Sequence, residues 1–180
     1  LELIRDSRHR IRSMALIHEQ LYRHEDLSDV GLGPYLESIA GHLFRSFGVE
    51  PGRVALRCRL DEISIDLDRA VSCGLIANEL LSNCLEHAFR DADRGEIHLT
   101  IRHRPGGLVQ LSIADDGRGF EVDADRSQSM GLDLVDMMAQ QLRGRLHLES
   151  DSSGSRFSIE FPADPTRDLA AEGEPNEDAS

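Results

Sequence analysis

Residues 96–117 read EIHLTIRHR, then PGG, then LVQLSIADDG. Apolar and polar residues alternate on either side of Pro105, Gly106 and Gly107, which supply a chain reversal, so the segment predicts an antiparallel strand pair. The residues around it set what that pair can belong to. Before it lies a long, mostly apolar helical pattern from about Asp68 to Phe89; after it come a helix from about Met130 to Leu142 and two strands, GRLHLES and SRFSIEFP, separated by the turn DSSG. Further upstream, GVEPGRVALRCRLDEISIDLD alternates around Val54, Leu56 and Cys58, and again around Ile63, Ile65 and Leu67, predicting two short strands. Strand pairs interleaved with helices imply an α/β protein, a two-layer α/β sandwich with a mixed sheet covered on one face by helices.

Helices are also expected at the N-terminus. From Leu1 to about His24, Ile4, Ile11, Met14, Ala15, Leu21 and Tyr22 recur at helical spacing, and His18 on this stripe reads as a hydrogen-bonded core residue. After the polar break EDLSDVGLG, Pro34 opens a second helix whose apolar stripe is Leu36, Ile39, Ala40, Leu43, Phe44 and Phe47, and Gly48 ends it. Two helices joined by a short turn make a hairpin that needs a partner. The expected division is a helical segment over 1–48, the α/β domain over 49–162, and a disordered acidic tail over 163–180, which has almost no large apolar residue.

Composition narrows the function classes. At 180 residues and 39% hydrophobic content the chain can bury one core with a small helical attachment. The net charge of −13, with arginines interspersed among acids, argues against a nucleic-acid partner. Cys58, Cys73 and Cys84 form no CxxC pair and read as small core residues in a reduced, cytoplasmic setting. No apolar run approaches the roughly 18 residues that span a bilayer, and the first residues do not read as a signal peptide. The chain opens on Leu1 rather than Met, and is expected to be a piece of something longer.

Four short stretches carry candidate chemistry. In NELLSNCLEHAF, Glu79 and Asn83 are four residues apart and share a helix face, with Glu86 and His87 a turn further on. In IADDGRGF, a strand delivers Asp115 and Asp116 to its end, and Gly117 and Gly119 let the backbone approach a flat ligand. A carboxylate there can accept a hydrogen bond from the exocyclic amine of adenine; taken alone, the pair equally fits a solvated turn or a metal site. In SMGLDLV, a glycine at the mouth of a helix suits phosphate oxygens, or simply eases entry to the helix. SSGSRF is a glycine turn feeding a strand.

In this order and spacing, the four stretches resemble the ATP-binding module of sensor histidine kinases and of their relatives among the gyrase, heat-shock chaperone and mismatch-repair ATPases. NELLSNCLEHAF is similar to the family's N box, IADDGRGF to its G1 box, SMGLDLV to its G2 box and SGSRF to its terminal GTxF element. RHRIRSMALIHEQLY and PYLESIAGHLFRSF resemble the second dimerisation helix and connecting segment of the subfamily whose phosphoacceptor box is of the HHRVKNN type. Together these cover Leu1 to Pro162. The absence of tryptophan argues against the neighbouring branch with a WxE signature.

The resemblance implies the Bergerat ATP-binding fold, ATP and Mg²⁺ as cofactors, and phosphoryl transfer to a histidine and then to an aspartate of a response-regulator receiver domain. It places Asn83 on Mg²⁺, with Glu79 nearby as the catalytic carboxylate that orients the metal's water or assists proton movement. Asp115 would recognise adenine, Gly117 and Gly119 would shape the base pocket, and Met130, Gly131 and Leu132 would border the phosphates under a flap formed by residues 121–128. Ser155 keeps the hydroxyl of the usual Thr, and His87 stands beside the nucleotide. The N-terminal helices would form a dimeric four-helix bundle in a bacterial phosphoprotein, joined to a membrane, if at all, only through upstream regions.

Two departures stand out. Glu86 occupies a position where the N box commonly has Lys, and a carboxylate pointing inward would repel phosphate. No HHRVKNN-like box exists, and His9 in SRHRIRSM lacks the Lys-Asn context, so the chain is expected to contain no phosphoacceptor. The competing readings are a protein-serine kinase of the anti-sigma-factor type, disfavoured by nearly fifty residues of helix before the first strand, and a non-catalytic ATP-binding or dimerisation module.

Overall fold

The computed structural model describes residues 30–50, 52–89, 94–120 and 130–163, without the side chain of Met130. The helix expected over 1–24, with His9 and His18, lies outside the described residues, as do the stretch 121–128 and the tail beyond residue 163. The elements are β1 (Val30–Gly31), α1 (Leu32–Ser46), β2 (Val54–Leu60), β3 (Ser64–Ile65), α2 (Leu67–Asn83), β4 (Gly95–Arg104), β5 (Leu108–Asp115), α3 (Met130–Gln141), β6 (Arg145–Asp151) and β7 (Gly154–Pro162). A five-residue π-helical turn, Cys84–Ala88, prolongs α2.

Five strands form one sheet in the order β2-β4-β5-β7-β6. The β2–β4 pair is parallel and the other three are antiparallel, so the sheet is mixed as expected. Gly106 and Gly107 turn the β4–β5 hairpin with φ of 80° and 70°, values that an L side chain rarely adopts. The period-two alternation then sends Ile97, Leu99 and Ile101 of β4, Val109, Leu111 and Ile113 of β5, and Phe157, Ile159 and Phe161 of β7 to one face, where all are buried. Across the strands they stand in rows, Leu99 beside Ile113 beside Phe157 and Ile101 beside Leu111 beside Ile159. Each such side chain contributes about 1.5–3 kcal/mol by leaving water. The same alternation gathers Arg57, Arg59, Arg102, Arg104, Arg145 and Arg156 on the opposite face, which no described helix covers and where all six are exposed.

The helices close the apolar face. Helix α2 lies between α1 and α3, and it starts cleanly because Asp66 caps it, accepting the Arg69 N–H at 3.0 Å. Helix α1 begins at Leu32, two residues before Pro34; the proline still removes no helical hydrogen bond, since the first four N–H groups of a helix have no partner within it. Its end is a glycine cap: Gly48, at φ 60°, donates to the Arg45 carbonyl while Val49 donates to that of Phe44. Tyr35, Leu36, Ile39, Ala40 and Leu43 of α1 share one core with α2 and the sheet. An apolar stripe shows that a helix needs cover and does not show which surface supplies it.

Arg69 fastens the last strand to this layer. Its guanidinium lies 5.1 Å from the centre of the Phe161 ring and donates to the carbonyls of Pro162 and, at 2.7 Å, Ala163. Arg69→Met keeps the apolar stem but strips both carbonyls of a charged donor, so it is expected to cost about 2 kcal/mol. Thermal unfolding checks this, and a melting temperature equal to that of the wild type would contradict it.

Candidate functional site

The C-terminal end of β5 sets the site. Asp115 follows the buried alternation of Ile113 and so points to the helix side, opposite Ser155 of β7, and it is only 8% exposed. One carboxylate oxygen accepts the Gly117 N–H at 2.9 Å and the other the Cys84 thiol at 3.5 Å. Burial raises its pKa above the ordinary 3.8, an effect partly offset by hydrogen bonds from the Gly117 backbone, the Cys84 thiol and the Ser155 backbone. Asp116 diverges from it. Its carboxylate accepts the Glu96 N–H at 2.6 Å, and its own N–H donates to the Glu96 carbonyl at 3.3 Å, so it ties the end of β5 to β4. The adjacent aspartates thus serve different ends and do not form a paired metal site.

Backbones meet closely around Asp115. A Cβ on Gly117 would stand 2.5 Å from the Ala88 carbonyl oxygen, which accepts the Arg118 N–H at 3.1 Å. A Cβ on Gly119, at φ 61°, would collide with the Asp151 carbonyl, and one on Gly154, at φ 129°, with the Asp115 carbonyl. Ser150 joins these loops by accepting the Phe120 N–H at 2.9 Å and standing 3.2 Å from the Ser155 hydroxyl. The rings of Phe120 and Phe157 stack with centroids 6.1 Å apart and planes 22° from parallel.

These residues enclose a cavity of about 360 Å³, within the range of small-ligand sites. Its lining includes Asn83, His87, Asp115, Gly119, Leu132 and Ser155, all singled out in the sequence. Gly117 does not line it but lets the loop lie against the π-helical turn. Gly131 is buried at the start of α3 beside the lining residue Leu132, and the Met130 side chain lies outside the described residues. Glu79 is 6% exposed, one helical turn before Asn83, and is not among the lining residues. Glu86, the departure from the N box, also stays out of the lining; its carboxylate stands 3.7 Å from His87 Nε2.

The lining also includes Cys84, Ala88, Arg118, Phe120 and Phe157. Part of this had a signal, since Cys84 and Ala88 continue the helix face that Asn83 and His87 begin. Arg118 stands between two glycines of the same loop. The pairing of Phe120 with Phe157, by contrast, is made only by the fold. A π-helical turn at this point, rather than a continued α-helix, is a further feature that periodicity does not reveal.

A helix-covered mixed sheet with an acid at a strand end, a glycine-formed cradle and an asparagine at the end of a facing helix defines an ATP-binding α/β sandwich. Residues 70–165 match the family model of histidine kinase-, DNA gyrase B- and HSP90-like ATPases, and residues 1–47 match a histidine kinase model. The chain belongs to this ATPase family and, within it, to the sensor histidine kinases. Blue-light-activated histidine kinase 2 of Erythrobacter litoralis is 28% identical over 145 residues, covering 79% of this chain and 41% of that protein. Sensor histidine kinase PdtaS of Mycolicibacterium smegmatis is 30% identical over 159 residues, 85% of this chain and 31% of that protein. The chain therefore spans less than half the length of these relatives. Among solved structures, the histidine kinase domain of the Erythrobacter litoralis EL346 blue-light activated kinase superposes with a TM-score of 0.77 at 25% identity, covering 89% of this chain and 83% of that one. No helix among the described residues is long and apolar enough to cross a membrane.

Proposed function

We propose that this chain is the ATP-binding catalytic region of a two-component sensor histidine kinase. It directs the γ-phosphoryl group of MgATP to a histidine outside this chain, from which the group passes to an aspartate on a response-regulator receiver domain. The observation that carries the reading is Asp115, a buried carboxylate held by Gly117 and opening on a cavity that two stacked phenylalanines help to line. Two features support a nucleotide there: the loops around Gly119 and Gly154 are packed backbone to backbone, leaving no room for a side chain at either position, and Asp115 lines the cavity as an acceptor.

The roles follow from position. Asp115 accepts the adenine amine, and Gly117 and Gly119 shape the pocket. Met130, Gly131 and Leu132 present the N-terminus of α3, whose backbone N–H groups suit phosphate. Asn83 would hold Mg²⁺, and Glu79, a turn earlier, would orient the metal's water or assist proton movement. His87 and Ser155 border the nucleotide. Bound MgATP supplies the transferable phosphoryl group and a divalent charge that offsets the charge developed on transfer. The N-terminal helical segment, residues 1–48, dimerises the protein, and its setting is the cytoplasm. The match of residues 1–47 to a histidine kinase model favours a histidine acceptor over serine.

Calorimetric titration of MgATP tests the reading. The wild type is expected to bind, and Asn83→Ala to bind at least about tenfold more weakly, the loss of one good metal contact. Undetectable binding by the wild type, or an unchanged affinity in Asn83→Ala, would instead favour a non-catalytic module.

A further inference from the structure

Cys84 is 3% exposed, yet it lines the cavity and its Sγ lies 3.5 Å from the Asp115 carboxylate. The two come from different layers: Cys84 begins the π-helical turn after α2, and Asp115 ends β5. We propose that Cys84 is a positioning residue for nucleotide recognition, its thiol donating a hydrogen bond to one oxygen of Asp115 while Gly117 N–H holds the other. This inference rests on the nucleotide-binding reading of the same cavity.

The chemistry favours a thiol that stays a donor. A thiol carries its proton at neutral pH and a carboxylate only accepts, so at 3.5 Å the sulfur is the donor. A donor fixed on a carboxylate does two things. It stabilises the ionised form against the burial that opposes it, and it fixes the plane of the group, leaving its remaining lone pairs for the ligand. Among the described residues, the other titratable or charged side chains of the lining are His87 on the same turn and Arg118 on the loop, while Asp116, turned towards Glu96, acts on the carboxylate through its charge; α3 and β7 contribute only the uncharged Leu132, Ser155 and Phe157 to the lining. Asp116 works against ionisation, which leaves the thiol and the backbone donors to favour it.

Two variants of the full chain test this, Cys84→Ala and Cys84→Ser. The first readout needs no ligand: the carboxyl carbon of Asp115 is titrated by NMR. Cys84→Ala is expected to move its midpoint to higher pH, and Cys84→Ser, whose hydroxyl also donates, to bring it back towards the wild type. The second readout is MgATP affinity between pH 5 and pH 8. Cys84→Ala is expected to bind about fivefold more weakly at pH 7, the loss of one modest hydrogen bond, with the acid limb of the profile displaced upwards in pH. Cys84→Ser restores both. An Asp115 midpoint that does not move in Cys84→Ala, or that moves equally in Cys84→Ser, overturns the inference. Failure of the wild type to bind MgATP overturns the nucleotide reading instead, and leaves the NMR result to judge the thiol.

Discussion

Asp115→Asn is expected to weaken MgATP binding by about 10- to 100-fold, the loss of a charge-assisted hydrogen bond in a buried site. The nucleotide-free protein is expected to be no less stable at pH 7. The two halves have one cause. Burial raises the folded-state pKa of Asp115 above its ordinary 3.8, so its contribution to stability is fully present below that value and is lost as pH rises through the folded-state pKa. At neutral pH the ionised carboxylate is therefore a net cost to the fold, kept for its ligand. Asparagine retains an acceptor for the Gly117 N–H and removes the charge. Calorimetry with MgATP, beside thermal unfolding of the free protein at pH 7 and pH 4, checks both halves. The stability advantage of the variant should shrink at the lower pH, and a variant that binds like the wild type would remove Asp115 from the site.

The second large effect lies in the backbone. Gly154→Ala is expected to destabilise the protein by about 3 kcal/mol or more, because strain at its φ and overlap with the Asp115 carbonyl act together. For a chain of this size that lowers the melting temperature by about 10 °C. Gly106→Ala is the matched control: its φ of 80° is also unfavourable, but no atom stands within 4 Å of the added Cβ. It should cost only about 1 kcal/mol. Equal losses at both positions would mean that φ alone matters and that the tight junction of β7 with β5 does not.

Much of this architecture is written in local patterns. The hairpin at Pro105 to Gly107, the glycine cap at Gly48 and the apolar rows of β4, β5 and β7 follow from period and turn chemistry, because each depends on residues close in the chain. The site was legible in the same way where its parts sit within one motif, as with Asp115, Gly117 and Gly119. What the sequence concealed depends on pairing between distant elements. The Cys84 thiol reads as a core residue until β5 brings Asp115 to it, and Phe120 meets Phe157 only because β7 pairs with β5. The arginines look interspersed with acids along the chain, yet alternation collects six of them on one exposed sheet face. Glu86 could have faced phosphate or solvent; the geometry puts it outside the cavity lining, beside His87.

The most direct test of the central claim is transfer of the label from γ-³²P-ATP in a longer form of the protein that carries the proposed acceptor histidine. The account predicts Mg²⁺-dependent labelling that is labile in acid and stable in alkali, as phosphohistidine is, that is lost in Asn83→Ala, and that moves to a receiver-domain aspartate when a cognate regulator is added. Label that is stable in acid, as on serine, or labelling that persists in Asn83→Ala, would contradict it.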